Sequence, residues 1–229
     1  MKIKFLNTTL LGLALAATSL TSNATLIVNK DAASIAYTVS SSDLINDATA
    51  LITGAALSGQ EGTSSDVTTL TNGAFGTPGN PLDSAETVSI SNNTVLTYLF
   101  DTTLNTLGFD ITGINTFGGW RDTGRDNQNY EVLFSMVDNP LLFTSLASIS
   151  FSQIANSTTS TRVSIGDSSG ILASGVAGVR FSFGAQENGY AGYRELDIIG
   201  TATVPEPTSL VIFALGIMGL ATRRFKKQS

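Results

Sequence analysis

The sequence predicts an all-β domain of antiparallel strands, arranged as a sandwich or a barrel. Serine, threonine, glycine and asparagine dominate the central part of the chain, and periodic runs of strong helix formers are scarce. Short β-branched and aromatic runs recur between clusters of turn residues, as expected of strands. Apolar and polar residues alternate in several of these runs, which is typical of half-buried antiparallel strands.

Eight runs have the composition of strands. In one of them, Val179, Phe181 and Phe183 share one face, and Arg180 and Ser182 share the other. The even positions of the run over residues 130–136 share a face in the same way. Residues 54–86 are rich in glycine, serine and threonine, and we expect a long loop region that can hold function. The predicted strands are residues 34–39, 94–100, 111–117, 130–136, 142–149, 162–165, 179–183 and 194–200.

The N-terminus has the three parts of a secretory signal peptide. Lys2 and Lys4 form a basic region, residues 10–17 form an apolar core, and Ser22 and Ala24 offer small residues before a cleavage site. We therefore predict that residues 1–24 are a signal peptide, removed by signal peptidase after Ala24. The body of the protein is then the single β domain over residues 25–203.

The C-terminus combines a Pro-Glu-Pro motif, an apolar run over residues 209–221 and a basic cluster over residues 223–227. The run of 13 residues is about 20 Å long as a helix, shorter than the ~30 Å hydrocarbon core of a bilayer. The run fits a helix that is held in the membrane for a time, with its basic end on the cytoplasmic side. An ordinary single-span anchor is the alternative, whereas a buried core helix is disfavoured because no polar face interrupts the run.

These three parts, in this order, resemble the PEP-CTERM sorting signal of exopolysaccharide-producing Gram-negative bacteria. The resemblance covers residues 204–229 only. It implies that a membrane-embedded exosortase recognises the tail and cleaves it near the Pro-Glu-Pro motif. The protein would then cross the inner membrane, associate with it transiently through the C-terminal helix, and reach the cell surface or extracellular matrix. The sorting-motif residues are Val204, Pro205, Glu206 and Pro207.

Composition excludes several kinds of chemistry. The chain has no cysteine and no histidine, which removes disulfides, Ser-His and Cys-His dyads and the commonest zinc ligand. Six of the 12 basic residues and 17 of the 18 acidic residues lie between residues 25 and 204, a net charge of −11. Such a body disfavours nucleic acid as a partner and offers oxygen ligands to hard cations.

Four segments of the body, residues 110–115, 120–135, 173–183 and 192–200, together resemble the galactose-binding-domain-like jelly roll of discoidin domains and carbohydrate-binding modules. The last segment ends Glu-Leu-Asp-Ile-Ile-Gly, close to the closing strand of that superfamily. The resemblance covers roughly residues 40–200. It implies an antiparallel jelly-roll β-sandwich that binds carbohydrate without catalysis, with extracellular polysaccharide as a partner.

The same resemblance implies one structural Ca²⁺, held by a loop before the first long strand and by the glutamate of the closing strand. The counterparts here are Leu70 and Asn72 in a turn, together with Glu195. Asn72 stands where an aspartate is usual. The alternative is that Glu195 forms an ion pair with Arg194 or Arg180 on the sheet surface.

Residues 120–130 hold an aromatic face, planar donors and amides, the groups that stack on sugars and bind their hydroxyls. Two tyrosines in a second loop can contribute. The alternative is structural, with Trp120 capping the sandwich and Arg125 and Gln128 binding loop carbonyls. The candidate ligand-binding residues are Trp120, Arg121, Arg125, Gln128, Tyr190 and Tyr193.

We predict that the protein is not an enzyme. Residues 166–170 match the Gly-x-Ser-x-Gly nucleophile elbow, but without a histidine base a hairpin turn is the better interpretation. Asp122 and Asp126 lack the residue pattern of an EF-hand calcium loop. They are also weak candidates for the two catalytic carboxylates of a glycosidase. The leading hypothesis is an exported carbohydrate-binding protein of the matrix. The alternatives are a structural biofilm or exopolysaccharide-matrix protein without specific glycan binding and, third, a hydrolase that uses carboxylates alone.

Overall fold

A computed structural model describes residues 25–77, 86–120, 124–152 and 159–205. In these ranges the chain forms ten strands, all paired in antiparallel ladders, and three short 3-10 helices. The predicted all-β fold is therefore confirmed. The predicted signal peptide, the C-terminal helix and the basic tail lie outside the described residues, as do Arg121, Glu206 and Pro207. Among the described residues there is no helix long and apolar enough to cross a membrane.

The strands are numbered in chain order. They are β1 (Leu26–Ala33), β2 (Leu51–Gly54), β3 (Val88–Ser91), β4 (Thr94–Leu99), β5 (Phe109–Gly119), β6 (Gln128–Met136), β7 (Asn139–Phe151), β8 (Ser160–Asp167), β9 (Ala173–Phe183) and β10 (Tyr190–Ala202). The 3-10 helices are Gln60–Gly62, Val67–Thr71 and Glu187–Gly189.

The ladders form two groups of five strands in a jelly-roll sandwich. One group has the order β1-β8-β5-β10-β3, and the other has the order β2-β4-β9-β6-β7. A short pairing of Phe109 with Val176 joins β5 to β9. Buried side chains from both groups meet in one core, as Leu196 of β10 and Val132 of β6 do. The core is what holds the two sheets face to face.

The alternation of apolar and polar residues that predicted the strands corresponds to an alternation of buried and partly exposed side chains. Val179, Phe181 and Phe183 are buried, whereas Arg180 and Ser182 on the same strand are partly exposed. Seven of the eight predicted strands coincide with β4 to β10.

The prediction of a strand over residues 34–39 is wrong. The strand β1 ends at Ala33, and Tyr37 is buried in an irregular segment where its ring packs on Phe75 and Phe117. The strands β2 and β3, of four residues each, were not predicted. The predicted loop region over residues 54–86 contains two of the 3-10 helices, and residues 78–85 lie outside the described part.

The sandwich has two ends that matter for function. We call the end where β10 begins at Tyr190 the distal end, and the end where β10 finishes at Ala202 the exit end. Register places Trp120 and the start of β6 at the distal end, and Phe109 and the end of β6 at the exit end. With 13 residues in β10, the two ends are separated by roughly 40 Å along the strand.

Candidate functional site

An arginine, a tyrosine and a glutamate meet at the distal end. The guanidinium of Arg125 lies over the Tyr190 ring, 4.6 Å from its centroid, and 5.4 Å from that of Trp120. Arg125 Nη1 is 3.1 Å from Glu61 Oε1, which also accepts a hydrogen bond of 3.0 Å from the Tyr190 hydroxyl. A cation over an aromatic ring is favourable, and Glu61 fixes the position of both partners. We call Glu61, Arg125, Glu187 and Tyr190 the distal cluster.

Glu187 ties the loop after β5 to the loop before β10. Its Oε2 accepts hydrogen bonds from the Arg125 backbone N–H (2.8 Å) and from Asn127 Nδ2 (2.9 Å). The carbonyl of Arg125 in turn accepts from the Gly192 N–H at 2.7 Å. Arg125 has a left-handed backbone, with φ of 68°. The loop conformation is therefore set by contacts from distant parts of the chain.

Trp120 packs against Tyr190 on the core side of the distal cluster. Its side chain is fully buried, and its ring meets the Tyr190 ring edge-on at 5.9 Å. Gly192 leaves the space that the indole fills, because a Cβ at residue 192 would lie 2.4 Å from Trp120 Cε3. Trp120 thus positions Tyr190 and does not itself face the solvent.

A shallow cavity of about 220 Å³ adjoins the cluster at Glu187. Two of its amides are fixed by hydrogen bonds, since Asn129 Nδ2 donates to Ala185 O (2.9 Å) and Gln186 Nε2 donates to Asn129 O (2.6 Å). Amides and hydroxyls make up most of the wall, with one phenyl ring. The lining residues are Asn127, Gln128, Asn129, Ser150, Phe151, Ser152, Ala185, Gln186 and Glu187.

Several buried polar atoms at the distal end have no hydrogen-bond partner within the described residues. Among them are two donors, Nε of Arg125 and Nε1 of Trp120, and one acceptor, Oε1 of Gln186. Buried polar atoms are rarely left unsatisfied in native proteins, so water or a ligand is expected to reach them.

The predicted ligand-binding residues divide into two groups. Arg125 and Tyr190 come together, partly exposed, whereas the side chains of Trp120, Gln128 and Tyr193 are fully buried. Arg121 lies outside the described residues. These three side chains are therefore covered by other residues in this structure, although Gln128 belongs to the wall of the cavity.

Gln128 and Tyr193 have well-defined internal partners. Gln128 Oε1 accepts from Thr116 Oγ1 at 2.5 Å, and its Nε2 donates to Thr161 Oγ1 at 3.0 Å. These bonds connect β6 to β5 and β8 under the loops. The Tyr193 ring packs on Phe183 at 5.0 Å within the core.

Sequence reasoning missed Glu61 and Glu187. Each belongs to a triplet that closes with a glycine at positive φ, Gln60–Gly62 and Glu187–Gly189, and in each triplet the middle residue is also left-handed. This shared turn pattern was the only local signal. Nothing local indicates that the two turns meet around Arg125.

A second group of buried polar atoms lies along β10. Burial raises the pKa of Glu195 to about 8, and the charges of Asp197 and Asp43 add to this shift. Burial, reinforced by the charge of Asp43, raises the pKa of Asp197 to about 6. Glu195 Oε1 accepts from the Gly73 N–H at 3.1 Å, and its Oε2 is buried with no partner among the described residues.

The predicted metal ligands fit a cation only in part. Asn72 Oδ1 already accepts from the Ala74 N–H at 2.9 Å. Leu70 could contribute only its backbone carbonyl, because its side chain is apolar and buried in the core. Asn46 Oδ1, however, is buried without a partner in the described part of the chain and would lie 3.2 Å from a Cβ at Gly73. The described residues contain no group of three or more acidic side chains arranged to hold a metal ion. Backbone and amide oxygens would have to complete such a site.

The arginines considered as partners of Glu195 have other contacts. Arg194 Nη1 donates to Phe75 O at 3.1 Å and lies 3.5 Å from Glu86 Oε2. Arg180 lies over the Phe143 ring, 3.8 Å from its centroid.

The formal nucleophile-elbow motif is a turn, as the sequence predicts, but the prediction of a hairpin is wrong. Residues 168–172 connect β8 to β9, two strands of different groups that do not pair with each other in the described residues. The Gly170 N–H donates to Asp167 O at 3.0 Å. Asp126 is fully buried, and Asp122 lies outside the described residues.

Comparison with known proteins identifies the tail. A family model described as the PEP-CTERM protein-sorting motif matches residues 203–227, which confirms the resemblance of the tail and implies processing by exosortase, a membrane protease. No curated protein matches the chain.

Similar solved structures are carbohydrate-binding modules. The family 32 module of Clostridium perfringens NanJ, in complex with galactose, is 12% identical with a TM-score of 0.41, and the match covers 66% of this chain and 91% of that one. A GH31 CBM32-2 bound to GalNAc is 11% identical with a TM-score of 0.43, covering 66% and 97%. A Streptococcus pneumoniae fucose-binding module is 10% identical with a TM-score of 0.43, covering 69% and 94%.

Proposed function

We propose that this protein is a sorted surface or matrix protein whose β-sandwich binds carbohydrate, without catalysis, at the distal cluster and the adjoining cavity. The observation on which this rests is the stacking of Arg125 on Tyr190 between Glu61 and Glu187, beside a wall of amides. Export and sorting are implied by the matched tail.

The groups at the distal end suit a sugar. Tyr190 and Phe151 are partly exposed rings that can pack on the apolar C–H face of a pyranose. Arg125, Asn127 and Gln186 provide planar donors and acceptors at fixed positions for hydroxyl groups. A cavity of about 220 Å³ is smaller than most small-molecule sites, so we expect it to take one sugar unit.

Two observations support a binding role over a catalytic one. The chain has no histidine or cysteine, so acid–base catalysis would depend on carboxylates, lysine or tyrosine. Glu61 and Glu187 in the distal cluster already pair with the side chain and backbone of Arg125. Carboxylates held in this way orient donors and are poorly placed to attack or protonate a glycosidic bond.

We also propose one structural Ca²⁺ beside Gly73. Glu195 and Asn46 would be its side-chain ligands, together with backbone oxygens of the turn over residues 70–73. Calcium prefers six to eight oxygen ligands, and each of these side chains has a buried oxygen without a partner in the described residues. The ion would hold Glu195 ionised and tie the turn to β10.

A binding screen with the full chain in mild detergent tests the proposal. Immobilised mono- and oligosaccharides and bacterial exopolysaccharides are probed with Ca²⁺ and with chelator. Saturable binding that free sugar competes away supports a carbohydrate-binding protein. No saturable binding by folded protein in either condition would reject it and favour a structural matrix protein.

A further inference from the structure

Exposed apolar side chains are concentrated at one end of the sandwich. Among the described residues, ten of the thirteen exposed large hydrophobic side chains lie at the exit end. Of the other three, Ile35 lies near the distal end, and Leu51 and Ile52 lie on the edge strand β2. The ten are Leu26, Ile27, Leu99, Leu104, Leu107, Met136, Leu141, Leu142, Ile171 and Val204.

Strand register places these side chains at the same end. Leu104 and Leu107 belong to the connection from β4 to β5, just before Phe109, which pairs with both Ala202 and Val176. Met136 pairs with Val176 as well, and Leu141 follows in the same hairpin. The β8–β9 turn and the start of β1 join them, because Leu26 pairs with Asp167.

The chain leaves the sandwich through this surface. Val204 is 75% exposed, and only four residues separate it from the apolar run that begins at Ser209. The five residue steps from Val204 to Ser209 reach at most about 18 Å. While the tail is in the membrane, the exit end is therefore held close to the lipid headgroups. Thr25, which follows the predicted signal peptide, is also at this end, since its carbonyl accepts from the Ser168 N–H.

We propose that the exit end is a membrane-docking surface, whose exposed leucines enter the headgroup region of a bilayer while the sorting tail is attached. The inference rests on the matched tail and not on carbohydrate binding. An array of unpartnered apolar side chains marks an interaction surface, and the short tether selects lipid as the occupant.

The charge at this end indicates which lipids are suitable. Asp101, Asp110, Asp138 and Asp167 lie at the exit end, and the described residues place no lysine or arginine there. Anionic headgroups would be repelled by these carboxylates. Docking therefore depends on apolar contact with a zwitterionic surface.

The absence of cysteine allows a direct test. Leu104→Cys, Leu141→Cys and, as a control at the other end, Ile35→Cys each introduce a single thiol into the full chain, at positions that are 87%, 82% and 55% exposed. Each variant carries an environment-sensitive dye and is reconstituted at low density into phosphatidylcholine vesicles, with or without a headgroup spin-label quencher. Circular dichroism checks that each variant is folded.

We expect several-fold stronger quenching at residues 104 and 141 than at residue 35. Equal quenching at all three positions would overturn the proposal. Quenching that appears only at high protein density would indicate contact between copies of the chain. A dye change that requires added exosortase would indicate a protein surface. Either of these last two results also contradicts docking on lipid.

Discussion

The guanidinium of Arg125 lies 4.6 Å from the centroid of the Tyr190 ring, and Tyr190 is the first residue of the strand that leads to the exit end. The same strand therefore holds the candidate sugar site at one end and the connection to the sorting tail at the other. A domain tethered through Val204 would present Arg125 away from the bilayer. Surface polymer could then reach the distal cluster before or after the tail is cleaved.

Arg125→Gly should weaken sugar binding at least tenfold without unfolding the domain. Glycine suits the left-handed backbone at residue 125, where φ is 68°, so the change removes the side chain without adding backbone strain. A tenfold loss corresponds to about 1.4 kcal/mol. Calorimetry with the best sugar from the screen measures the affinity, and thermal unfolding measures the stability.

Arg180→Ala is the matched control for this change. Arg180 also stacks on an aromatic ring, that of Phe143, and its Nε donates to Thr97 Oγ1 at 3.0 Å, but it lies on the outer face of a sheet. We expect sugar affinity to be unchanged. Equal losses for both arginines would argue against a specific site at the distal end.

The stability of the calcium-free protein should fall as pH rises from about 4.5 to about 8. The folded-state pKa of Glu195 is about 8, above its ordinary value of 4.5, so the folded state binds the extra proton in this range. Stability decreases with pH wherever the folded state holds more protons than the unfolded state. Melting temperatures measured in chelator across this pH range test whether stability falls as pH rises.

Glu195→Gln should remove most of this pH dependence and should raise the melting temperature near pH 8 in chelator. A smaller slope below about pH 6 should remain, because Asp197 also has a raised pKa. Calcium should stabilise the native protein more at high pH than at low pH and should not stabilise Glu195→Gln. If calcium raised the melting temperature equally in both proteins, Glu195 would not be a ligand of the proposed ion.

Trp120→Ala should destabilise the domain by about 3–5 kcal/mol, because a fully buried indole is replaced by a cavity. For a domain of this size that is a fall in melting temperature of roughly 10 °C. Trp120→Phe should cost less, since part of the ring contact with Tyr190 remains. Urea unfolding measures both. If Trp120→Ala lowered the free energy of unfolding by no more than an ordinary surface substitution does, the indole would not be packed as described.

The strands could be predicted because their cause is local. Burial on one face imposes alternation, and Val179, Phe181 and Phe183 display it in the sequence. Tyr37 looked like part of a strand for the same reason, yet its burial comes from an irregular segment that packs on Phe75.

The site was less accessible to sequence reasoning because its contacts are long-range. Arg125 and Tyr190 were recognised as sugar-binding residue types, but their partner Glu61 lies on a separate 3-10 helix far along the chain. Whether Trp120 faces solvent or core could not be decided from composition, since an aromatic residue at a loop edge suits both. The space provided by Gly192 decides it.

Gly192→Ala also tests the packing of Trp120, by adding a methyl group to the space that the indole occupies. A Cβ at residue 192 would lie 2.4 Å from Trp120 Cε3 and 2.5 Å from the carbonyl oxygen of Gly119, so the indole and a backbone strand must both move. Overpacking of this kind costs about 1–3 kcal/mol or more. Because Trp120 supports Tyr190, sugar affinity should fall together with stability.

Gly166→Ala is the control, because Gly166 lies in β8 of the same sheet with no atom within 4 Å of a built Cβ and no positive φ. Its effect should stay within about 0.5 kcal/mol, as for ordinary surface changes. Measured side by side by urea unfolding, the two variants differ only in what surrounds the added methyl group. If Gly192→Ala were as stable as Gly166→Ala and bound sugar equally well, the indole would not occupy the space beside residue 192. We would then abandon the support of Tyr190 by Trp120. The ion pair between Arg125 and Glu61 would be unaffected, because it is inferred from a separate distance.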